Sequence, residues 1–462
     1  MLRRCFSAAT ILVAGGACSL EPLPVIERIA LYQAVEITPL DGSHPEKEDP
    51  PIIAGRDALL RVFLAAGEHG GPTPLGASVE LDGQVVAEAA GELAAPSQVD
   101  DLDSTLNLRI PGAALSADGA YRVTVTGSGT SQRWPPEGPG MLTVSEVNGP
   151  FQVVLVPVIN HGMGPLVDPA IVAAYEQALL RLLPVSTVDV QVRDPYYFER
   201  DLCSGVAAIE MLALEILDVR ARDEAPANTY YVGLIAPSAT ALDYLTCGGG
   251  ILGMSLVGWN ADDTYARGCV AAGHFVDGTS LDSEGTVVHE LGHALGRRHA
   301  PCGSAGGADG KYPHAEGAIG VWGWDSGRNV LHHPQRSKDF MSYCAPAWVS
   351  DYHYVRLFNR IAHVNGSALS ATATAAKSYR RLFIDDEDAA RWLGPTSVTH
   401  PAGAPVTLRL VSPTGEASAG TGYRYDYSHG SGSLVLIAAE QLRGQQRLVL
   451  DGRTMTIPEV GP

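Results

Sequence analysis

The sequence predicts an α+β protein: a central twisted sheet with helices, flanked by an N-terminal β-sandwich and a small C-terminal β domain. Three observations carry that prediction. Short apolar runs separated by turn residues fill 24–147 and return after 367, while strand-sized and helix-sized runs alternate over 150–366. Fifty-one glycines and 31 prolines punctuate those runs. The length of 462 residues suits two or three domains of about 100–200 residues each.

Each element has its own signal. In the first region IERIALYQAVEI, DALLRVFLA, ASVELDGQVVAEAA, STLNLRI and YRVTVTG read as strands of an antiparallel sandwich. The linker after them is RWPPEGPG (133–140) or the SEVNGP segment that follows. From 151, FQVVLVPVI is a strand, PAIVAAYEQALLRLLP an amphipathic helix ending at Pro184, and TVDVQVRD a strand. A long helix over 205–224 and the strand TYYVGLIAP come next. GGGILGMSLVGW then reads as the sheet's edge strand. After 367, APVTLRLVSPTG, SGSLVLIAAEQ and RLVLDGRTMTI read as strands of the C-terminal domain, with no chemistry evident.

The N-terminus is an address. Arg3 and Arg4 precede a short apolar stretch, and small residues lead to Cys18, so residues 1–18 read as an export signal. The end of that signal suits either a lipoprotein, acylated at Cys18, or plain secretion. Export gives meaning to the seven cysteines. Cys5 leaves with the signal and Cys18 is processed, which leaves Cys203, Cys247, Cys269, Cys302 and Cys344 in an oxidising compartment. Cys302 and Cys344 flank the motif described below and form the expected bridge; the pairing of the other three stays open.

Charge narrows the function. Lys plus Arg is 32 and Asp plus Glu is 51, so the net charge is 32 − 51 = −19, which argues against binding a phosphate backbone. Later apolar runs are shorter than the ~18–20 residues a membrane helix needs. No GxSxG elbow, Walker loop or dinucleotide fingerprint is present.

The chemistry concentrates in TVVHELGHALGRRHAPCG, residues 286–303. On a helix His289 and His293 lie one turn apart on one face, where both can reach a single zinc ion. Glu290 points beside the metal and suits a carboxylate that takes a proton from water and delivers it to a leaving amine. Gly296 can end the helix in a left-handed conformation and turn the chain so that His299 becomes a third ligand. A bare HExxH arises by chance in roughly 2% of chains with this composition; with the glycine and third histidine at fixed offsets the figure falls to about one in ten thousand. His161, His274, His314, His332, His333, His353, His363, His400 and His429 have no competing spacing and read as surface or core residues. Arg297 and Arg298 face solvent or pair with acids, Asp325 and Asp339 being candidates.

HExxHxxGxxH followed by the methionine of KDFMSYC resembles the signature of the metzincin zinc peptidases. With GAIGVWGWD (317–325) and DFMSYCAPAWVSDYHY (339–354), the stretch 285–355 is similar to exported bacterial members related to the mucin-cleaving secreted metzincins. The resemblance implies a metzincin-type catalytic domain at 150–366, with the edge strand GGGILGMSLVGW lying along the cleft and open to an extended substrate. It implies one catalytic zinc on His289, His293 and His299, with Met341 as an apolar floor beneath the metal. It also implies that Tyr343 ligates the resting metal or donates to the oxyanion. The substrate class it implies is protein or glycoprotein, cleaved by an endopeptidase. A surface glycoprotein-binding adhesin with an inactive peptidase domain is the rival; the intact Glu290 speaks against it.

Overall fold

The structure is a computed structural model. It describes residues 24–37, 49–65, 73–93, 95–127, 129–247, 250–370, 375–385, 389–429 and 432–458. Residues 1–18, read above as an export signal, with Cys5 and Cys18, lie outside the described residues. The chain is α+β and rich in strands. It divides into two compact units.

The smaller unit takes in residues 61–108 and 120–140 with the strand start before Ala30. It holds an antiparallel sheet ordered Gln84–Leu93, Thr73–Leu81, Gly119–Gly127, Thr130–Trp134. Leu75, Ala77 and Val79 on one strand and Tyr121, Val123 and Val125 on its neighbour are buried. That spacing of two is the alternation of a sheet with one covered face.

The larger unit carries the site. Its central sheet runs Val188–Val192, Phe151–Asn160, Thr229–Ile235, Gly268–Ala272, Gly253–Ser255, with Tyr196–Phe198 also on Phe151–Asn160. All pairs are parallel except the last, where Gly253–Ser255 runs antiparallel to Gly268–Ala272. The fully buried run TYYVGLI explains the parallel centre, because such strands are covered on both faces. Two helices, Pro169–Leu182 and Ser283–Ala294, are tied to this sheet through one hydroxyl. Ser283 Oγ lies 2.6 Å from Tyr175 Oη and donates to the Ala272 carbonyl at 2.6 Å.

The C-terminal strands form a seven-stranded antiparallel sheet, with Lys377–Ile384, Ala390–Val398 and Ala417–Asp426 joining the strands expected there. Along Ser433–Ala438, Leu434 and Leu436 enter the core that also holds Ile209, Leu212, Met254, Leu256 and Phe275. Val435 and Ile437 enter a second core with Leu382, Leu408, Leu410 and Leu448. One strand thus seals two cores, and the first of them continues into the central sheet. Asp218 accepts from Arg381 and Thr396, both at 2.9 Å, across the same junction.

The region after His299 includes a 20-residue helix, Asp351–Ser370. Ser350 caps it, accepting the His353 N–H at 3.1 Å, and Tyr354, Leu357, Ile361 and Val364 form its buried stripe. Among the described residues no helix is long and apolar enough to cross a membrane.

Candidate metal centre

The helix Ser283–Ala294 buries Val287, Val288, Leu291 and Ala294, which fixes its roll against the sheet. That roll turns His289 and His293 to a common point. At Gly296 φ is +80°, and a side chain there would meet the Gly258 carbonyl at 2.5 Å, so only glycine fits the turn. The Arg297 N–H reaches back to the Gly292 carbonyl at 2.8 Å and closes the helix end. His299 then returns beside the other two imidazoles.

The three rings are arranged as one donor set. His293 Nε2 lies 3.2 Å from His289 Nε2 and 3.1 Å from His299 Nε2. Each Nδ1 donates to a backbone carbonyl: His289 to Phe340 at 2.8 Å, His293 to Arg297 at 2.7 Å, His299 to Gly306 at 2.5 Å. With the hydrogen on Nδ1, all three Nε2 lone pairs face inward. They would repel one another unless a cation lay among them. Nitrogens bound at ~2.0–2.1 Å around a tetrahedral ion sit about 3.3 Å apart, so the set fits a divalent metal.

Electrostatics agrees. Burial lowers the pKa of His289, and lowers that of His293 further with help from the charges of His289 and His299; burial brings His299 down to about 4. Neutral imidazole is the form that ligates.

Met341 is fully buried, and its sulfur occupies the space that a side chain at Gly292 would need. The methionine therefore packs directly against the helix that carries His289 and His293. Asp339 holds this turn, accepting the N–H groups of Met341 at 2.8 Å and Ser350 at 3.0 Å and pairing with His353 Nδ1 at 2.8 Å. Burial opposes ionisation of Asp339, yet the charge and hydrogen bonds of His353 and the neighbouring donors hold its carboxyl below the usual range. Cys302 and Cys344 are bonded, as expected. Cys203 pairs with Cys247, and Cys269 is free and buried.

Glu290 is buried beside the histidines, and its partner is a residue that spacing could not single out. His429, read from the sequence as a bystander, lies with its Nε2 2.7 Å from Glu290 Oε1 and its Nδ1 2.6 Å from the Tyr343 hydroxyl. Its ring is 5.4–5.9 Å from the three ligand rings, and it shares their cluster of possible metal donors. The Tyr343 ring stands 4.9 Å from that of His299. Burial, with the charge of Glu290 adding to it, raises the Tyr343 pKa to about 12, so the phenol keeps its proton.

Residues 251–350 match the family model for Peptidase M66, a metallopeptidase family. No curated protein matches the chain. The Peptidase M66 stretch contains the edge strand, the metal-site helix, the three histidines and Met341; His429 and the C-terminal sheet lie beyond it.

Two expectations need correction. The outer edge of Gly253–Ser255 and the residues after it is not open along its length. Val257 N–H donates to the Asp426 carbonyl at 2.9 Å, Ser428 N–H donates to the Ser255 carbonyl at 2.8 Å, and Leu256 bridges antiparallel to Tyr427. The C-terminal sheet covers the edge there because Tyr427 is anchored in the shared core. Second, Arg298 does pair with an acid, but the acid is Asp426, at 3.0 Å, and neither of the two candidates. Asp325 is taken by Arg181, bonded through Nε at 2.8 Å, and Asp339 by His353. Between these walls a cleft of about 380 Å³ opens beside the histidines, lined by Val257, His293, Arg298, His299, Arg424 and Ser428 among others.

Proposed function

We propose that the chain is an exported zinc-dependent endopeptidase that hydrolyses peptide bonds of extracellular proteins or glycoproteins. One observation carries this reading: three imidazoles converge, with His293 Nε2 3.2 Å from His289 Nε2 and 3.1 Å from His299 Nε2, and a buried carboxylate stands on the helix of His289 and His293. Three nitrogen donors from His289, His293 and His299 suit zinc, and leave a position for substrate and water. Bound zinc would act as a Lewis acid on the scissile carbonyl and lower the pKa of water.

The chain's own groups do the rest. Glu290 accepts a proton as water adds to the carbonyl carbon, and returns it to the amine nitrogen as the C–N bond breaks. The Tyr343 hydroxyl donates a hydrogen bond to the oxygen that gains charge in between. Burial of Glu290 keeps competing water from its carboxylate. The Peptidase M66 match supports the peptidase part. The signal-like residues 1–18 support export, either with release or with a lipid anchor at Cys18.

The test is to map new peptide termini by mass spectrometry after incubating the purified mature chain with a glycoprotein-rich protein pool. Cleavage that a chelator abolishes and added zinc restores is the expected result. Cleavage indifferent to chelator, or none with zinc bound, overturns the reading.

A further inference from the structure

We infer that His429 is a positioning residue of the reaction centre, the middle member of a hydrogen-bonded chain Tyr343–His429–Glu290. The inference rests on the peptidase reading above. Glu290 is an acceptor when ionised, so the hydrogen of the 2.7 Å contact belongs to His429 Nε2. Nδ1 of the neutral ring is then an acceptor, and the Tyr343 O–H donates to it at 2.6 Å. Both ring nitrogens are thereby engaged. This separates His429 from the three ligand histidines, each of which gives Nδ1 to a carbonyl and turns Nε2 towards the others.

His429 stands in a turn directly after the strand Ala417–Asp426, and the residues just before it are fixed to the edge strand. Ser428 grips Ser255 twice, donating its N–H to the Ser255 carbonyl at 2.8 Å and accepting the Ser255 N–H on its hydroxyl at 3.0 Å. Tyr427, next to it, is buried in the core shared with Met254 and Leu256. The imidazole is thus delivered at a set height over Glu290. It occupies Oε1, and leaves Oε2 with only a 3.4 Å contact to the Ser428 hydroxyl. Oε2 is the oxygen left to take a proton from water. The same ring holds the Tyr343 hydroxyl, whose single hydrogen leaves Nδ1 when it turns to the oxyanion. Fixing the base before substrate arrives removes its reorientation from the barrier, so His429 acts on kcat through Glu290.

The test uses the full mature chain loaded with zinc. His429→Ala is expected to lower kcat about 10–100-fold, the usual scale for a supporting partner, with KM and metal affinity within about threefold of wild type. His429→Gln, which keeps an N–H facing Glu290, is expected to recover part of the loss. Competition with a chromogenic chelator reads metal affinity independently of activity. A fall of tenfold or more in His429→Ala would make it a ligand and overturn the proposal. A rise in activity would make it an obstruction, and wild-type kinetics in both variants would make it idle; either overturns it.

A second readout needs no substrate. In zinc-loaded protein with 15N-labelled histidine, His429 is expected as the Nε2–H tautomer, with an Nδ1 resonance that moves in Tyr343→Phe. A metal-bound His429, or one indifferent to Tyr343, overturns the chain of hydrogen bonds. If the wild-type chain binds zinc but cleaves nothing, the peptidase reading falls while this measurement still decides the contact.

Discussion

At the scale of the residue, Glu290 is the sharpest point of the account. It sits one position from a ligand, is buried, and does not share the donor role of the histidines. Glu290→Ala is therefore expected to keep stoichiometric metal while peptide hydrolysis falls by about 10²–10⁴-fold, the range for losing a general base. Parallel metal analysis and a fluorogenic peptide assay check this, and retained activity in a metal-replete sample would remove Glu290 from its role. The convergence of the three histidines was legible because it is local: His289, Glu290, His293, Gly296 and His299 lie within one helix and the turn that follows it, so spacing alone sets their geometry. His429 was not legible. It meets Glu290 across 139 residues of chain, and pairing with the edge strand brings it there, which no window of sequence displays. The partner of Arg298 escaped for the same reason, since Asp426 ends the distant strand that leads to His429.

At the scale of the element, the edge strand and the disulfide each make a claim. A Cβ at Gly253 would stand 2.5–2.8 Å from the Glu290 carboxyl group and its Cγ. Gly253→Ala is expected to push the carboxylate out of place, lowering kcat about 10²-fold as displacements near 1 Å can do, while metal content stays at the wild-type level. Unchanged kinetics would show that Glu290 tolerates the shift. The Cys302–Cys344 bridge closes a loop of 42 residues that begins just after His299 and holds the Met341 turn. Replacing both cysteines by alanine is expected to cost about 4 kcal/mol on the chain-entropy account, read as a lowered denaturant midpoint. This bridge was readable because Cys302 follows the histidine motif and Cys344 follows Met341. The strands and helices of the central sheet were readable from their periodicity, since apolar runs of five to seven residues and amphipathic stretches differ in repeat. The helix Asp351–Ser370 was not, because it begins within a stretch, DFMSYCAPAWVSDYHY, that carries a turn and a cap before any helical period is established.

At the scale of the molecule, the larger unit is held together by a core that joins the central sheet to the C-terminal sheet. Tyr425, Tyr427, Leu434 and Leu436 pack in one cluster with Ile209, Leu212, Met254 and Phe275. Ending the chain at 366 would expose that apolar face and leave the edge strand unpaired at Ser255 and Val257. Such a truncation is expected to aggregate or melt at markedly lower temperature than the mature chain, as circular dichroism and light scattering would report; a truncated protein with wild-type melting would show that the sheet is an accessory. The fold class was legible in outline from the order of its elements, but the depth of this junction was not, because burial on both faces of Ser433–Ala438 depends on partners far away in sequence.

The central claim is that His289, His293 and His299 hold one metal ion between them. The most direct measurement is the metal content per chain after dialysis against a weak chelator, comparing wild type with His299→Ala. The account predicts one zinc per wild-type chain and a large loss in the variant. A wild-type chain that retains no metal, or a variant that retains as much, would contradict it.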